Sequence, residues 1–316
     1  MTETNRSDRS TFRHSYARIA IAIASAAGVT YAAQSAAQQP AAAANTFEIR
    51  LHRAETAGMR RHVEVHATKH QQMTLTAGAR SLRNSTEDVR ATFVAAERIV
   101  TVTPTGKALQ SEYTVEQFDT DDAQGHHSLL HRGQVVVLTR AGTAAQATLT
   151  VDNAPATPQM REALDDVLSL TARPSTDDDM FGTTQRQRVG GSWPMNAANA
   201  ERDFRESTGI ESSLRGSSRL VRHFDAHGTD ALEITAQMTG NIRALPNMPA
   251  GAVIRSGAMT ARFTSTLPVA TTAQPLSGRM EMTMNMVVDI PAQANAPATQ
   301  LRMTASEIKE ESATPM

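Results

Sequence analysis

The chain is 316 residues long, has no cysteine and only 4% aromatic residues, and carries a formal net charge of −1. Without thiols there is no disulfide framework, no cysteine nucleophile, no Cys-ligated zinc or iron–sulfur cluster and no lipidated cysteine. With 31 Lys+Arg against 32 Asp+Glu the chain lacks the basic excess that nucleic-acid binding requires, so no nucleic-acid partner is expected.

Arg6, Arg9, Arg13 and Arg18 precede the apolar run Ile19–Ala26, which continues through small residues to Ala37. A basic head, an apolar stretch of about a dozen residues and a small-residue exit form a secretory signal peptide. Residues 1–37 are therefore read as a signal cleaved after Ala37, with Ala32 as the other candidate, and residues 38–45 as a flexible tether. The alternative is an uncleaved anchor, but the apolar stretch falls short of the roughly 20 residues a spanning helix needs. The arginines are not adjacent, so the twin-arginine route has no support. Cleavage removes four arginines and two acids and moves the net charge from −1 to −3. The mature protein is expected to be periplasmic or extracellular and not to span the membrane.

From residue 46 the dominant period is two, the signature of strands with one buried face. Phe47, Ile49 and Leu51 alternate with polar residues. Val63, Val65, Ala67, Met73 and Leu75 share one face, and His62, Glu64, His66, Thr68 and His70 share the other. Pro104–Lys107 marks a hairpin between Ile99–Thr103 and Leu109–Phe118, and Ala141–Thr143 another between Gln134–Thr139 and Gln146–Val151. Thr157-Pro158 then opens the one clear helix, near 157–171, with an N-cap residue and proline at the first helical position. Met160, Ala163, Leu164, Val167 and Leu168 recur along it at helical spacing. Arg173–Asp179 reads as an acidic surface linker.

Alternation resumes in Leu220–Phe224, which turns at Ala226–Gly228 into Ala231–Gln237. It continues in Val253–Leu267 (Met259, Ala261, Phe263), in Arg279–Ile290 (Met280, Met282, Met284, Met286) and in Leu301, Met303 and Ala305. The expected fold is mainly β (α+β): a large curved antiparallel sheet of about 11–12 strands built from hairpins, with one main helix covering part of its apolar face. It comprises a β region over 46–152, the helix and linker over 153–180, a second β region over 181–310, and a disordered tail at 311–316. The two β regions form either two subdomains or one long sheet. An outer-membrane barrel is not expected, because 8 Phe, 3 Tyr and 1 Trp are too few for aromatic girdles.

Five features stand out. Met280, Met282, Met284 and Met286 sit about 6.6–6.8 Å apart along one strand face. Thioethers there suit Cu(I), or serve as adaptable filler of a core or a cavity wall. His62, His66 and His70 have helical ligand spacing, but on a strand residues four apart lie about 13 Å from one another, too far to share an ion. His126, His127 and His131 lie beside Asp119, Asp121 and Asp122, but Ala123 and Gly125 break calcium-loop spacing. Ser306 and Lys309 match a serine–lysine tetrad whose members would point to opposite strand faces. Val189–Pro194 holds the lone Trp193 behind a glycine pair, a turn that folds the indole onto the core.

No phosphate-loop, nucleophile-elbow, zinc-protease or dinucleotide fingerprint occurs, so neither enzymatic activity nor a cofactor is expected. Residues 46–310 resemble exported bacterial proteins in which a helix plugs the concave face of a curved antiparallel sheet, the periplasmic lipoprotein carriers among them. The Gly190-x-x-Trp193 turn is similar to that of other secreted β-rich proteins. The chain departs from many such proteins in lacking a lipidated cysteine, and no functional residue carries over. The resemblance implies an apolar or amphipathic ligand, a lipid or similar small molecule, held between sheet and helix. Met259, Phe263, Met280, Met282, Met284, Met286, Leu164 and Leu168 are the candidate cavity residues. Periplasmic copper handling by Met280, Met282, Met284 and Met286, or a structural role in the cell envelope, are the alternatives.

Overall fold

Alternating apolar and polar residues extend into strands because every second side chain can then leave water together. The computed structural model describes residues 45–140, 147–170, 175–293 and 296–316. The signal peptide and all but the last residue of the tether lie outside them, as does the turn at 141–143. The first half forms β1 (Thr46–Phe47), β2 (Arg60–Ala77), β3 (Arg80–Val102), β4 (Ala108–Asp122), β5 (Gly125–Leu130), β6 (Val135–Thr139), β7 (Thr148–Val151) and β8 (Ala154–Pro155). Helices α1 (Pro158–Val167) and α2 (Asp177–Phe181) follow, then β9 (Gln187–Arg188), β10 (Ser192–Pro194) and α3 (Ala197–Thr208). The second half continues with β11 (Glu211–Ala226), β12 (Thr229–Ala244), β13 (Val253–Pro268), β14 (Ser277–Ile290) and β15 (Thr299–Pro315).

Thirteen strands make one antiparallel sheet in the order β10-β11-β12-β13-β14-β15-β2-β3-β4-β6-β7-β8, with β5 also paired to β4. The sheet is open rather than closed into a barrel, and β1 and β9 form a separate two-stranded ribbon. The chain's last strand joins the halves, since β15 pairs with β14 on one side and with β2 on the other. Residues 311–315, expected as a disordered tail, are part of that seam: Glu311 pairs with Val65 and Ala313 with Val63.

Local structure departs from expectation in three further places. Two helices join the expected one. Asp177, Asp178 and Asp179 fill the first turn of α2 within the supposed linker, where acids favour a helix N-terminus, and Thr176 and Asp179 form a capping box. Asn196 caps α3, which ends at Gly209 with φ 73°; it buries Ala200, Asp203 and Phe204, too thin an apolar stripe to announce itself. The expected helix itself starts behind Thr157 as read and stops at Val167. Lastly, Phe47 pairs with Gln187 but Ile49 and Leu51 leave the ladder, the Leu51 amide donating to Asp178 Oδ1 at 2.7 Å instead.

One face of the sheet is polar and open. On the other, two apolar clusters are covered separately. Under α1, Phe93 packs edge-on against Phe118 and Tyr113 at 5.6 and 5.8 Å, among Val65, Val115, Leu138 and Leu164. Under α2 and α3, Met259, Met280, Met282, Met284 and Met286 pack with Phe181, Phe204, Phe263 and Met303. A third, smaller cluster gathers Phe47, Ile49, Trp193, Leu220, Ile234 and Leu267. Trp193 is buried as read, its indole N–H donating to the Phe181 carbonyl at 2.6 Å.

A candidate ligand cavity between the two covered halves

Between the clusters the inner face turns ionic. β15 continues the parity of Leu301 and Met303 with Glu307, Lys309 and Glu311, and β2 continues that of Val65 and Ala67 with Lys69. The register sets Glu307 beside Met282 and Lys69, and Lys309 between Met280 and Ala67. Lys309 is only 3% exposed. One edge of α1 brings Asp165 and Asp166 into the field of Lys69 and Lys309, while Leu164 and Val167 enter the apolar cluster. Burial pushes Asp166 up to about 6 and Glu307 up to about 7, against the pull of these lysines.

At the Glu311 end the seam opens into a cavity of about 480 Å3. Its apolar wall is Phe181, Ile234, Phe263 and Leu267; its ionic wall is Glu55, Arg61, Glu97, Tyr113 and Arg140; the segment Leu51–Arg53 and Ser175–Asp177 close it above. Arg61 binds both Glu97 and Glu55, the latter at 3.0 Å. Glu55 also accepts from the Ala108 amide at 3.0 Å. Burial lowers the proton affinity of the Arg61 guanidinium, but Glu97 and Glu55 outweigh it and the net effect is upward. Burial raises Glu55 above the usual carboxylate range. Burial also pushes the Tyr113 hydroxyl, hydrogen-bonded to Glu97, well above its ordinary value. Arg140 donates to the Ser169 carbonyl at 2.6 Å.

The closing segment is fixed from several directions. Arg53 donates to the carbonyls of Pro268 and Ala270, both at 2.9 Å. Gly106, with φ 76°, lets the hairpin at 104–107 approach so closely that a Cβ there would lie 2.5 Å from Ala54 Cβ. Two buried nitrogens of this segment, His52 Nε2 and Arg53 Nε, have no hydrogen-bond partner among the described residues. A larger concavity of about 570 Å3 lies at the far ends of β2, β13 and β14, but it is an open groove whose charged groups, Arg255 and Asp289, are paired with one another.

Of the residues singled out from the sequence, Phe263 lines the cavity. Met259, Met280, Met282, Met284 and Met286 sit in the core behind it, and Leu164 and Leu168 belong to the other cluster under α1. The histidines lie apart on the outer face and the β4–β5 hairpin, where His66 meets Glu64 at 2.8 Å, His70 meets Asp88 at 2.5 Å and His126 meets Asp121 at 3.0 Å. Among the described residues no group of three or more His, Asp or Glu is placed to hold a metal ion. The residues missed are the charged ones. Their signal was present as charges on the apolar parity of a strand, Lys69 in line with Val65 and Glu307, Lys309 and Glu311 in line with Met303.

No family model and no curated protein matches the chain. Among solved structures, one described as "Lipid-protein interactions in lipovitellin" is similar at 8% identity and TM-score 0.34, over 83% of this chain and 26% of that one. This chain thus spans about a quarter of the lipovitellin chain. The outer membrane protein OprG from Pseudomonas aeruginosa is similar at 6% identity and TM-score 0.25, over 83% and 98% of the two chains. The outer membrane protein AlkL is similar at 8% identity and TM-score 0.20, over 92% and 97%. Scores this low carry no argument about function. Among the described residues no helix is long and apolar enough to cross a membrane.

Proposed function

We propose that this is an exported, non-enzymatic binding protein that holds one amphipathic small molecule in the cavity between the two covered halves of its sheet. One observation carries the reading: a single space of about 480 Å3, within the range of small-molecule sites, has an apolar wall facing a wall of buried ions. Phe181, Ile234, Phe263 and Leu267 would take the apolar part, and the opposite wall would orient a polar end. The signal-like first 37 residues supply the export half of the proposal.

Native mass spectrometry of the full chain after mild purification, followed by displacement of a fluorescent fatty-acid probe, tests it. A co-purifying or added amphiphile should bind one per chain. Ser265→Trp, which fills the cavity from β13, should weaken binding at least ten-fold, whereas Met282→Leu, in the core behind it, should leave binding unchanged. Absence of any amphiphile binding, or binding undiminished in Ser265→Trp, refutes the reading.

A further inference from the structure

We infer that the guest is an amphipathic anion, an apolar chain ending in a carboxylate or a phosphate monoester, with its head group against Arg53 and His52. This rests on the cavity reading above and adds the charge of the guest and the place of its head. The cavity carries cations and carboxylates in comparable number, so the distinction lies in which of them are already satisfied. Glu97 is held by Arg61 and Tyr113, and Glu55 by Arg61 and the Ala108 amide. Arg53 is 5% exposed, and its guanidinium donates from Nη1 and Nη2 to two neutral carbonyls. Its Nε–H has no acceptor among the described residues, and neither has the adjacent His52 Nε2. Of the two acids in the field of Arg53, Asp178 acts more strongly and accepts from the amides of Leu51 and His52, at 2.7 and 3.3 Å, while Glu48 binds Arg50 at 2.9 Å.

A buried guanidinium N–H without an acceptor is costly, and an anionic oxygen relieves it through a charge-assisted hydrogen bond. The neighbouring His52 Nε2 adds a second donor in the tautomer that places the ring hydrogen there. A cationic head would instead add a like charge beside a guanidinium. The placement also suits an amphiphile. Arg53 is pinned to the end of β13, the strand that supplies Leu267 and Phe263 to the apolar wall, so a head at Arg53 leaves its chain alongside these side chains. The volume suits one such chain rather than several.

Isothermal titration of the full chain with four ligands sharing a dodecyl chain decides the matter: dodecanoate, dodecyl phosphate, dodecanol and dodecylammonium, each below its micellar concentration. Dodecanoate or dodecyl phosphate should bind at least about ten-fold more tightly than the alcohol and the amine, the size of one charge-assisted hydrogen bond. Whichever of the two leads identifies the head group. Arg53→Met should reduce that preference to within about three-fold, while Arg90→Met, on the outer face, should leave it intact. Because Arg53 also holds two carbonyls, His52→Leu and the head-group ranking on the unmodified chain test the inference without it. His52→Leu should weaken the anion about three-fold and leave dodecanol unchanged. Equal binding of all four ligands, a preference for the amine, or no effect of His52→Leu overturns the anionic assignment while leaving the cavity in place. No binding of any ligand overturns both.

Discussion

The sheet carries two covered halves that solve the same packing problem differently. Under α1 the strands present rings and β-branched side chains, Phe93, Phe118, Tyr113, Val115 and Val136, with few rotamers and interlocking shapes. Under α2 and α3 they present methionines beside alanines, with Met282 across from Ala261 and Met284 across from Met259. Flexible thioethers fill the uneven space between small neighbours and two short helices. The halves also differ in what their helices cover. α1 straddles the ionic seam with Asp165 and Asp166, whereas α3 turns Phe204 into an apolar floor. Clusters that differ in shape meet without merging, because Lys309, Glu311 and Arg61 interrupt the apolar face between them, and the cavity opens at that interruption.

Three experiments break or sharpen this contrast, beginning with the largest effect. Phe93→Ala removes the shared ring of an interlocked cluster and should cost about 3–5 kcal/mol in urea unfolding. A loss below about 1 kcal/mol would mean that the first half is no more tightly fitted than the second.

The second is pH. Asp166 and Glu307 bind protons more tightly when folded than when unfolded, with values of about 6 and 7 against ordinary ones of 3.8 and 4.5. Their ionisation therefore opposes folding, and stability should decline as pH rises from about 4 through about 7, by an order of 1–3 kcal/mol. Lys69, Lys309 and Arg161 temper the slope, whereas Asp165, itself raised by burial, and Glu87 add to it. Asp166→Asn should flatten it. Hydrogen exchange, corrected for its intrinsic pH dependence, should show α1 losing protection over this range while α3 keeps it. Equal loss in both helices would show that the seam does not act through α1.

The smallest effect concerns the methionines. Met282→Leu and Met284→Leu conserve volume and should each cost less than about 1.5 kcal/mol. A larger loss would mean that this half is as finely fitted as the aromatic one.

Much of the sheet could be read along the chain. Two-residue periodicity located β2, β12, β13 and β14, and Pro104–Lys107 and Ala226–Gly228 located two of the turns. What escaped was written in polar residues. Arg80–Arg90 extends β3 with scarcely an apolar side chain, because pairing with β2 supplies its hydrogen bonds. α3 depends on Phe204 and two caps rather than on a broad stripe. The cavity was harder still. Its apolar residues resemble core residues in composition, and its ions come from segments as distant as Arg53, Glu97, Arg140 and Glu311.

Sequence alone determined which side of each alternating strand leaves water, since side-chain parity is a property of the extended backbone. Through that parity it also put Lys69 in line with Val65 and Ala67, and Glu307 and Lys309 in line with Leu301 and Met303. Only the tertiary structure decided that the last strand would insert between β14 and β2 and bring those charges into one seam. Such pairing depends on contacts between residues more than 200 positions apart, Glu311 with Val65 among them, and no local pattern encodes it.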